Sequence, residues 1–149
     1  MSKVISDAPH TAITFRIIGA AMAVHNDLGP GHREEVYHRA MMQKMPGPPF
    51  ELSFEDEPAL PVEDEAGNII FVYRPDSRVE QQVLAEFKAQ THPLTNDDIA
   101  QVIDYFAACP ACEVALLINF GRPRLEWKRL FPPKHIRTQR RRKWGEQLK

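Results

Sequence analysis

The first part of the chain carries apolar residues with the period of a helix. Over residues 11–28 they form one continuous stripe, which predicts an amphipathic helix. The stripe consists of Ile13, Ile17, Ala20, Ala21, Val24 and Leu28. Gly29-Pro30-Gly31 then ends this helix and turns the chain. A second helix is predicted over residues 32–45, and the Pro/Gly-rich segment 46–49 stops it.

The rest of the chain predicts short strands and one further helix. Thr95 followed by Asp98 forms a capping box for this helix, which is expected to reach about residue 108. Residues 114–118 form a continuous apolar run, as expected of a central strand. Pro58 and Pro61 interrupt the first strand, at residues 50–62, and place it near an edge of the sheet. The predicted strands lie at residues 50–62, 69–74, 83–88, 114–118 and 125–130. This order of elements predicts a mixed α/β domain in which helices flank a central sheet.

The segment between residues 69 and 88 holds the candidate chemistry. If its two extended runs pair as a hairpin, Asp76 in the turn comes near Glu86 and Lys88 in the second run. Side chains alternate along a strand, so Glu86 and Lys88 lie on one face and Phe87 on the other. Carboxylate oxygens suit hard divalent cations, and a neighbouring ammonium can orient a water molecule or offset phosphate charge. The alternative is a solvated hairpin with an ordinary surface ion pair, which spacing alone favours.

Length and composition indicate one globular domain. The chain has 149 residues, enough for a substantial core. No apolar run approaches the ~20 residues that span a bilayer. We expect a cytoplasmic protein, because no signal-peptide pattern precedes the first helix. Residues 1–10 are predicted to be a flexible N-terminus, and residues 11–131 are predicted to form the folded domain.

A basic C-terminal segment follows the predicted domain. Residues 132–149 contain seven Lys or Arg residues and one acidic residue, Glu146, so the other 131 residues carry 12 basic and 19 acidic groups. Such a segment is typical of an arm that contacts polyanions. It is equally typical of a disordered, solubilising tail, and charge alone does not separate these two interpretations.

Polar residues on the predicted helices extend the candidate site. Glu34 and Tyr37 lie on one face of the second helix, and Gln101 and Tyr105 lie one turn apart on the third. A cation site for phosphodiester hydrolysis needs two or three carboxylates, a lysine and polar groups that hold the phosphate. His25, near the end of the first helix, is either a metal ligand or a partly buried structural histidine.

The two cysteines, Cys109 and Cys112, form a CxxC motif after the third predicted helix. Redox motifs of this kind lie at a helix N-terminus, where the helix dipole lowers the thiol pKa. Two cysteines alone do not complete a zinc or iron–sulfur site. We therefore interpret the motif as a turn, with a thiol-redox function as an alternative hypothesis.

Several motifs occur in an order that is typical of one enzyme family. Tyr73-Arg74-Pro75-Asp76 precedes Glu86-Phe87-Lys88, and Gly31-His32-Arg33-Glu34-Glu35-Val36-Tyr37 begins the second helix. Further matching stretches are residues 18–31, 117–121 and 124–129. Together these motifs resemble the GxxExxY proteins, a branch of the PD-(D/E)XK nuclease superfamily, over about residues 13–131.

The resemblance implies a restriction-endonuclease-like fold and a Mg²⁺-dependent nuclease site, in which Mn²⁺ is expected to substitute. Asp76 and Glu86 would bind the metal, with Glu34 and the Phe87 carbonyl as further ligands. Lys88 would position the attacking water or stabilise the transition state. The resemblance assigns substrate binding to Gln101, Tyr105 and Tyr37, and His25 is the histidine considered as an additional ligand.

The leading hypothesis is a nuclease that hydrolyses phosphodiester bonds of DNA by a metal-activated water, with RNA as the second candidate substrate. One alternative is a nucleic-acid-binding accessory module on the same fold, with weak or no catalytic activity. The other is a thiol-redox protein that uses Cys109 and Cys112. A homodimer or a protein partner is compatible with the sequence, and no feature requires either.

Overall fold

The computed structural model of the protein describes residues 10–144 and shows a mixed α/β fold, as predicted. Within these residues, the helices are α1 (Thr11–Leu28), α2 (Glu34–Lys44), α3 (Asn96–Phe106) and α4 (Lys134–Trp144). The strands are β1 (Phe54–Asp56), β2 (Leu60–Glu63), β3 (Ile69–Tyr73), β4 (Ser77–Val79), β5 (Val83–Lys88), β6 (Val114–Asn119) and β7 (Glu126–Leu130). The predicted flexible N-terminus, apart from His10, and residues 145–149 of the basic segment lie outside the described residues. None of the described helices combines the length and apolar character needed to cross a membrane.

A five-stranded sheet with the order β1-β4-β5-β6-β7 forms the centre of the fold. β5 and β6 are parallel and are connected through α3, while the other neighbouring pairs are antiparallel. Both strands are buried along almost all of their length, which confirms the predicted buried strand at 114–118. α1 and α2 pack on one face of the sheet with Phe87, and α3 and α4 pack on the other face with Leu84.

Local signals account for the helices that position the site. α1 has the predicted bounds, and Gly29 and Gly31 follow it with positive φ angles of 69° and 107°, which glycine adopts readily. Thr95 and Asp98 form the predicted capping box at the start of α3. α2 begins at Glu34, two residues later than predicted, so this carboxylate lies in the first helical turn.

The strand pairing beside the candidate site differs from the predicted hairpin, which is wrong. β3 pairs with β2, and β5 instead pairs with β4, which starts directly after Asp76. The turn between β4 and β5 contains Glu80 and Gln81 with φ angles of 52° and 61°. Glycine or asparagine usually occupies such left-handed positions, so this turn has no recognisable sequence signal. The Glu80 carboxylate stabilises it by accepting hydrogen bonds from the backbone N–H and hydroxyl of Ser53 at 2.7 and 2.9 Å.

The segment 50–62, which was expected to hold one strand, contains β1 and most of β2. β1 is an edge strand of the five-stranded sheet, as predicted for this segment, whereas β2 belongs to the separate two-stranded sheet with β3. The register between β1 and β4 places Asp56 opposite Ser77. Because Ser77 directly follows Asp76, this register brings a second aspartate to the candidate site.

The basic C-terminal segment contains a helix that its sequence pattern does not predict. α4 packs against the end of α3 through Ile136 and Arg140, whose exposed fractions are only 5% and 4%. The Arg140 guanidinium donates to the carbonyl oxygens of Phe106 at 3.1 Å and of Cys109 and Cys112 at 2.6 Å each. It also lies over the Phe106 ring. α4 is thus held by bonds to carbonyl groups at and beyond the C-terminal end of α3.

Candidate active site

Two carboxylates meet where the chain enters β4. Asp76 immediately precedes β4, and Glu86 lies on the neighbouring strand β5. The backbone N–H of Asp76 donates to Oε1 of Glu86 at 3.0 Å, and Oδ2 of Asp76 accepts from the backbone N–H of Phe87 at 2.7 Å. The structure therefore brings together the two carboxylates that the sequence identifies, although through the pairing of β5 with β4 rather than with β3.

The Phe87 carbonyl faces the same region. Within a strand, the N–H and C=O of one residue point to the same side. Since the N–H of Phe87 points to Asp76, its carbonyl oxygen also points to the β4 side of the strand. The ladder between β4 and β5 ends at the pair Ser77–Ala85, so Phe87 lies beyond it. Asp76, Glu86 and Phe87 thus offer hard oxygen donors in one region.

α3 contacts the two functional side chains of β5. The Tyr105 hydroxyl donates to Oε2 of Glu86 at 3.2 Å, and the Lys88 ammonium donates to Oε1 of Gln101 at 3.0 Å. Residues two apart in a strand are separated by about 6.6 Å, and residues four apart in a helix by about 6 Å, so the two contacts match in spacing. The family resemblance implies that both α3 residues bind substrate. The structure shows them bound to Glu86 and Lys88, with Tyr105 buried and Gln101 exposed.

Burial and neighbouring charges raise the pKa of Glu86 and of Glu34. Burial and the charge of Asp76 raise the pKa of Glu86 from 4.5 to about 7. Partial burial also raises the pKa of Glu34, against the opposing effect of the Lys88 ammonium. Glu34 is exposed in the first turn of α2, and Asp76 and His38 lie close enough to influence this pKa. Glu34 therefore belongs to the cluster electrostatically, without a hydrogen bond to it in the described part of the chain.

His38 and Asp56 also belong to this cluster, although the sequence did not single them out. Nδ1 of His38 lies 3.1 Å from Oδ1 of Asp76, and Nε2 lies 2.7 Å from Oδ1 of Asp56. The hydrogen bond to Asp76, against the effect of burial, raises the pKa of His38 from 6.5 to about 9. His38 follows Glu34 by one helical turn, which is a signal that the sequence offers. Asp56 has no comparable local signal.

The sequence also matches a known superfamily. A sequence model of the PD-(D/E)XK nuclease superfamily matches residues 11–130. The chain belongs to this superfamily. Members of the PD-(D/E)XK superfamily generally depend on divalent metals. The match does not identify the GxxExxY branch, which stays a prediction.

The fold of the chain is similar to that of a solved structure. The crystal structure of SSO0001 matches with a TM-score of 0.52 at 18% identity, and the match covers 94% of this chain and 66% of that chain. The chain thus spans slightly less than two thirds of the length of that protein, and similarity at this level of identity shows the fold alone. No curated protein shows significant sequence similarity to the chain.

Tyr37 has a structural position in this PD-(D/E)XK domain. Its side chain is fully buried, and its hydroxyl donates to the carbonyl oxygen of Gly29 at 2.5 Å and accepts from the N–H of His32 at 3.1 Å. Its ring stacks on Phe120, with centroids 4.8 Å apart. These contacts fix the turn that leads to Glu34. They leave no exposed surface of Tyr37 for the predicted substrate contact.

His25 and the cysteines also make structural contacts. Nε2 of His25 lies 2.9 Å from the carbonyl oxygen of Arg122, and within residues 10–144 the histidine makes no hydrogen bond or ion pair to the carboxylate cluster. This contact favours the interpretation of His25 as a structural histidine. Cys109 and Cys112 are buried and form a disulfide in the turn after α3. Their burial favours the turn interpretation over a thiol-redox function.

The carboxylate cluster fits the divalent metal on which PD-(D/E)XK proteins generally depend. Its donors are hard oxygens. The raised pKa of Glu86 reflects burial and, after it, repulsion by Asp76, and a cation would relieve this repulsion. A neighbouring group of three side chains, His38, Asp56 and Glu57, has ligand atoms within 4.8 Å of one another. His38 connects this second group to Asp76.

Proposed function

We propose that the chain is a Mg²⁺-dependent nuclease that hydrolyses phosphodiester bonds of DNA, with RNA as the second candidate substrate and Mn²⁺ as an alternative cation. The observation that carries this proposal is the contact between Asp76 and Glu86 on the same region of the sheet as Lys88. Membership of the PD-(D/E)XK superfamily supports nuclease activity and a nucleic-acid substrate.

Asp76, Glu86 and the Phe87 carbonyl are the proposed ligands, and Glu34 contributes a further carboxylate from α2. A bound divalent cation would polarise the phosphate and offset the negative charge that develops on it during hydrolysis. Glu86 acts as a ligand in its ionised form, so near neutral pH it releases a proton when the cation binds. Metal affinity is therefore expected to increase as pH rises through about 7.

The side chains of the protein supply charge and positioning. Lys88 is half-buried and bound to Gln101, and it would neutralise a phosphate oxygen or orient the attacking water. Tyr105 orients Glu86 through its hydroxyl group. In this proposal Gln101 and Tyr105 therefore position Lys88 and Glu86, in place of direct substrate contact.

The α4 helix offers a surface for the nucleic acid. Six of its eleven residues are Lys or Arg and none is acidic. Lys134, Arg141 and Arg142 are exposed, and within the described residues their side chains make no hydrogen bond or ion pair. α4 packs on the same face of the sheet as α3, the face to which Glu86 and Lys88 point. Such a basic surface would attract a phosphate backbone.

A paired binding and cleavage measurement tests the proposal. We expect Mg²⁺ and Mn²⁺ to bind the wild type in a calorimetric titration and to support cleavage of labelled DNA. Asp76→Asn, which retains an oxygen for the Phe87 N–H, should lose both binding and cleavage. Asp104→Asn, the same change at an exposed position of α3, should retain both. Full cleavage by a folded Asp76→Asn variant would exclude Asp76 from the mechanism.

One observation favours a second candidate function, a binding or accessory module that does not cut. Each oxygen of Asp76 already has one partner within the protein, Phe87 or His38, which leaves fewer lone pairs for a cation. Such a module would bind DNA equally with Mg²⁺ and with EDTA and would cut it under neither condition. A gel-shift titration under both conditions, beside the cleavage assay, distinguishes the module from the nuclease.

A further inference from the structure

The imidazole of His38 lies between the carboxylates of Asp76 and Asp56. Neither the sequence motifs nor the superfamily match predicts this contact. We propose that His38 is a positioning residue for Asp76, and that Asp56 fixes the imidazole in this role. The inference rests on the proposed function, because its consequence is the orientation in which Asp76 would hold a divalent cation.

The geometry fixes the His38 ring on several sides. Its two nitrogens lie 3.1 Å from Asp76 and 2.7 Å from Asp56, and its edge packs against the Phe87 ring with centroids 5.7 Å apart. The side chains of His38 and Asp76 are only 13% and 16% exposed, so the contact between them is largely shielded from water. Ionised carboxylates only accept hydrogen bonds, so Nε2 donates to Asp56, and Nδ1 forms an ion pair with Asp76.

The two contacts of Asp76 fix the plane of its carboxylate. Oδ2 accepts from the Phe87 N–H at 2.7 Å, and Oδ1 forms an ion pair with Nδ1 of His38 at 3.1 Å. A carboxylate oxygen has two lone pairs, so each oxygen retains one that is free to face a cation. Without His38, only the Phe87 N–H would hold the carboxylate, which could then rotate about its own side-chain bond.

Asp56 is well placed to hold His38 because β1 and Asp76 are connected through the backbone. The register pairs Asp56 with Ser77, the residue after Asp76, and the N–H of Glu57 donates to the carbonyl oxygen of Asp76 at 2.9 Å. The two aspartates therefore keep a fixed separation, which the imidazole spans. Groups that orient a metal ligand in this way typically change metal affinity or activity by about 10–100-fold when they are removed.

Two isosteric variants separate the two contacts of His38. The amide nitrogen of asparagine can take the place of Nδ1, which faces Asp76, and that of glutamine can take the place of Nε2, which faces Asp56. We expect His38→Asn to bind Mn²⁺ within about threefold of the wild type and His38→Gln to bind it about 10–100-fold more weakly. If His38 only filled space, glutamine, the closer match in size, would be the better replacement.

Amide hydrogen exchange in the metal-free protein gives a second measurement, which does not depend on activity. The Phe87 N–H has Asp76 as its acceptor, so a loosened carboxylate should accelerate its exchange. We expect faster exchange at Phe87 in His38→Gln than in His38→Asn. The Ala85 amide, which lies inside the ladder with β4, should be unchanged in both and serves as the internal control.

The outcomes distinguish this inference from the proposed function. Equal Mn²⁺ affinity and equal Phe87 exchange in His38→Asn and His38→Gln would overturn the positioning role. A wild type that binds neither Mg²⁺ nor Mn²⁺, with or without DNA, would contradict the proposed function instead. In that case, faster Phe87 exchange in His38→Gln alone would still support the positioning of Asp76.

Discussion

Tyr105 donates a hydrogen bond of 3.2 Å to Glu86 between α3 and β5, and both side chains are buried. Burial and the charge of Glu86 raise the pKa of Tyr105 above its ordinary value of 10, so the phenol remains protonated and can donate. Glu86 behaves differently, because burial and the charge of Asp76 raise its pKa to about 7. The charge of Glu86 is therefore the property of this site that changes near neutral pH.

Glu86→Gln should stabilise the metal-free protein at alkaline pH. Folded Glu86 keeps its proton up to about pH 7, whereas the unfolded chain loses it at about 4.5, so wild-type stability falls as pH rises between these values. Glutamine removes this loss and still accepts from the Asp76 N–H. Between about pH 5 and about pH 8, the free energy of unfolding of the variant should increase by about 2–3 kcal/mol relative to the wild type in urea titrations.

A control for this prediction is Glu80→Gln. The hydrogen bonds from Ser53 lower the pKa of Glu80, so ionised Glu80 stabilises the folded wild type above the ordinary pKa of about 4.5. Glu80→Gln removes this contribution. The variant should therefore be less stable than the wild type at these pH values, which is the opposite of the effect expected for Glu86→Gln. The pKa of His38 is raised, so its contribution to stability is fully present below pH 6.5 and is lost as the pH rises through about 9. This contribution is common to both proteins and cancels in the difference. A difference for Glu86→Gln that did not vary with pH would contradict the raised pKa.

Tyr105→Phe should move metal binding to higher pH. The substitution removes one of two hydrogen bonds that favour ionised Glu86, so the pKa of Glu86 rises further. We expect the midpoint of Mn²⁺ binding against pH to increase by about one unit. The stability near about pH 8 should decrease by about 1–2 kcal/mol.

Tyr73→Phe is the matched control for this substitution. Tyr73 packs against the Tyr105 ring with centroids 5.6 Å apart, and its hydroxyl makes no hydrogen bond within the described residues. It should therefore leave the pH midpoint unchanged. If the pH midpoint of Mn²⁺ binding shifted equally in both variants, the shift would not be due to the hydrogen bond between Tyr105 and Glu86.

The parts of the site that depend on local sequence signals could be predicted. Alternation along β5 places Glu86 and Lys88 on one face, and the capping box of Thr95 sets the start of α3. Helical spacing on α3 then brings Gln101 and Tyr105 to them. The interaction partners of these two residues depend on how α3 packs on the sheet, which the family resemblance does not specify, so the resemblance implied a different role for them.

The parts that depend on distant pairing could not be predicted. The pairing of β4 with β5 requires the left-handed turn at Glu80 and Gln81, which lacks glycine and asparagine. The contact between His38 and Asp56 exists only because β1 pairs with β4. Among the α4 side chains whose burial the structure describes, Ile136 is the one buried apolar residue, and a buried arginine also holds the helix, so apolar periodicity does not reveal it.

Tyr37→Phe should lower stability without changing the chemistry of the site. The buried hydroxyl holds the Gly29 carbonyl and the His32 N–H, and both would lose this partner. We expect the free energy of unfolding to decrease by about 1–2 kcal/mol, measured by urea denaturation. Mn²⁺ and DNA affinities should stay unchanged at a temperature where the variant is folded. Weaker DNA binding at unchanged stability would instead support the substrate-binding role predicted from the sequence.

Arg141→Gln combined with Arg142→Gln should weaken nucleic-acid binding without unfolding α4. Both arginines are exposed, whereas Ile136 and Arg140 hold the helix in place. If each arginine contacts a phosphate, the slope of log affinity against log salt concentration should decrease in magnitude by about two. Fluorescence anisotropy with a labelled DNA duplex at several salt concentrations, in EDTA to prevent cleavage, measures this slope.

The matched control removes two positive charges from α2, which packs on the opposite face of the sheet. Arg39→Gln with Lys44→Gln changes the net charge equally at exposed positions, so it should leave the salt slope nearly unchanged. An equal reduction in both double variants would show that only net charge matters. An unchanged slope in the α4 variant would exclude this helix as a phosphate-binding surface and place the nucleic acid elsewhere on the domain.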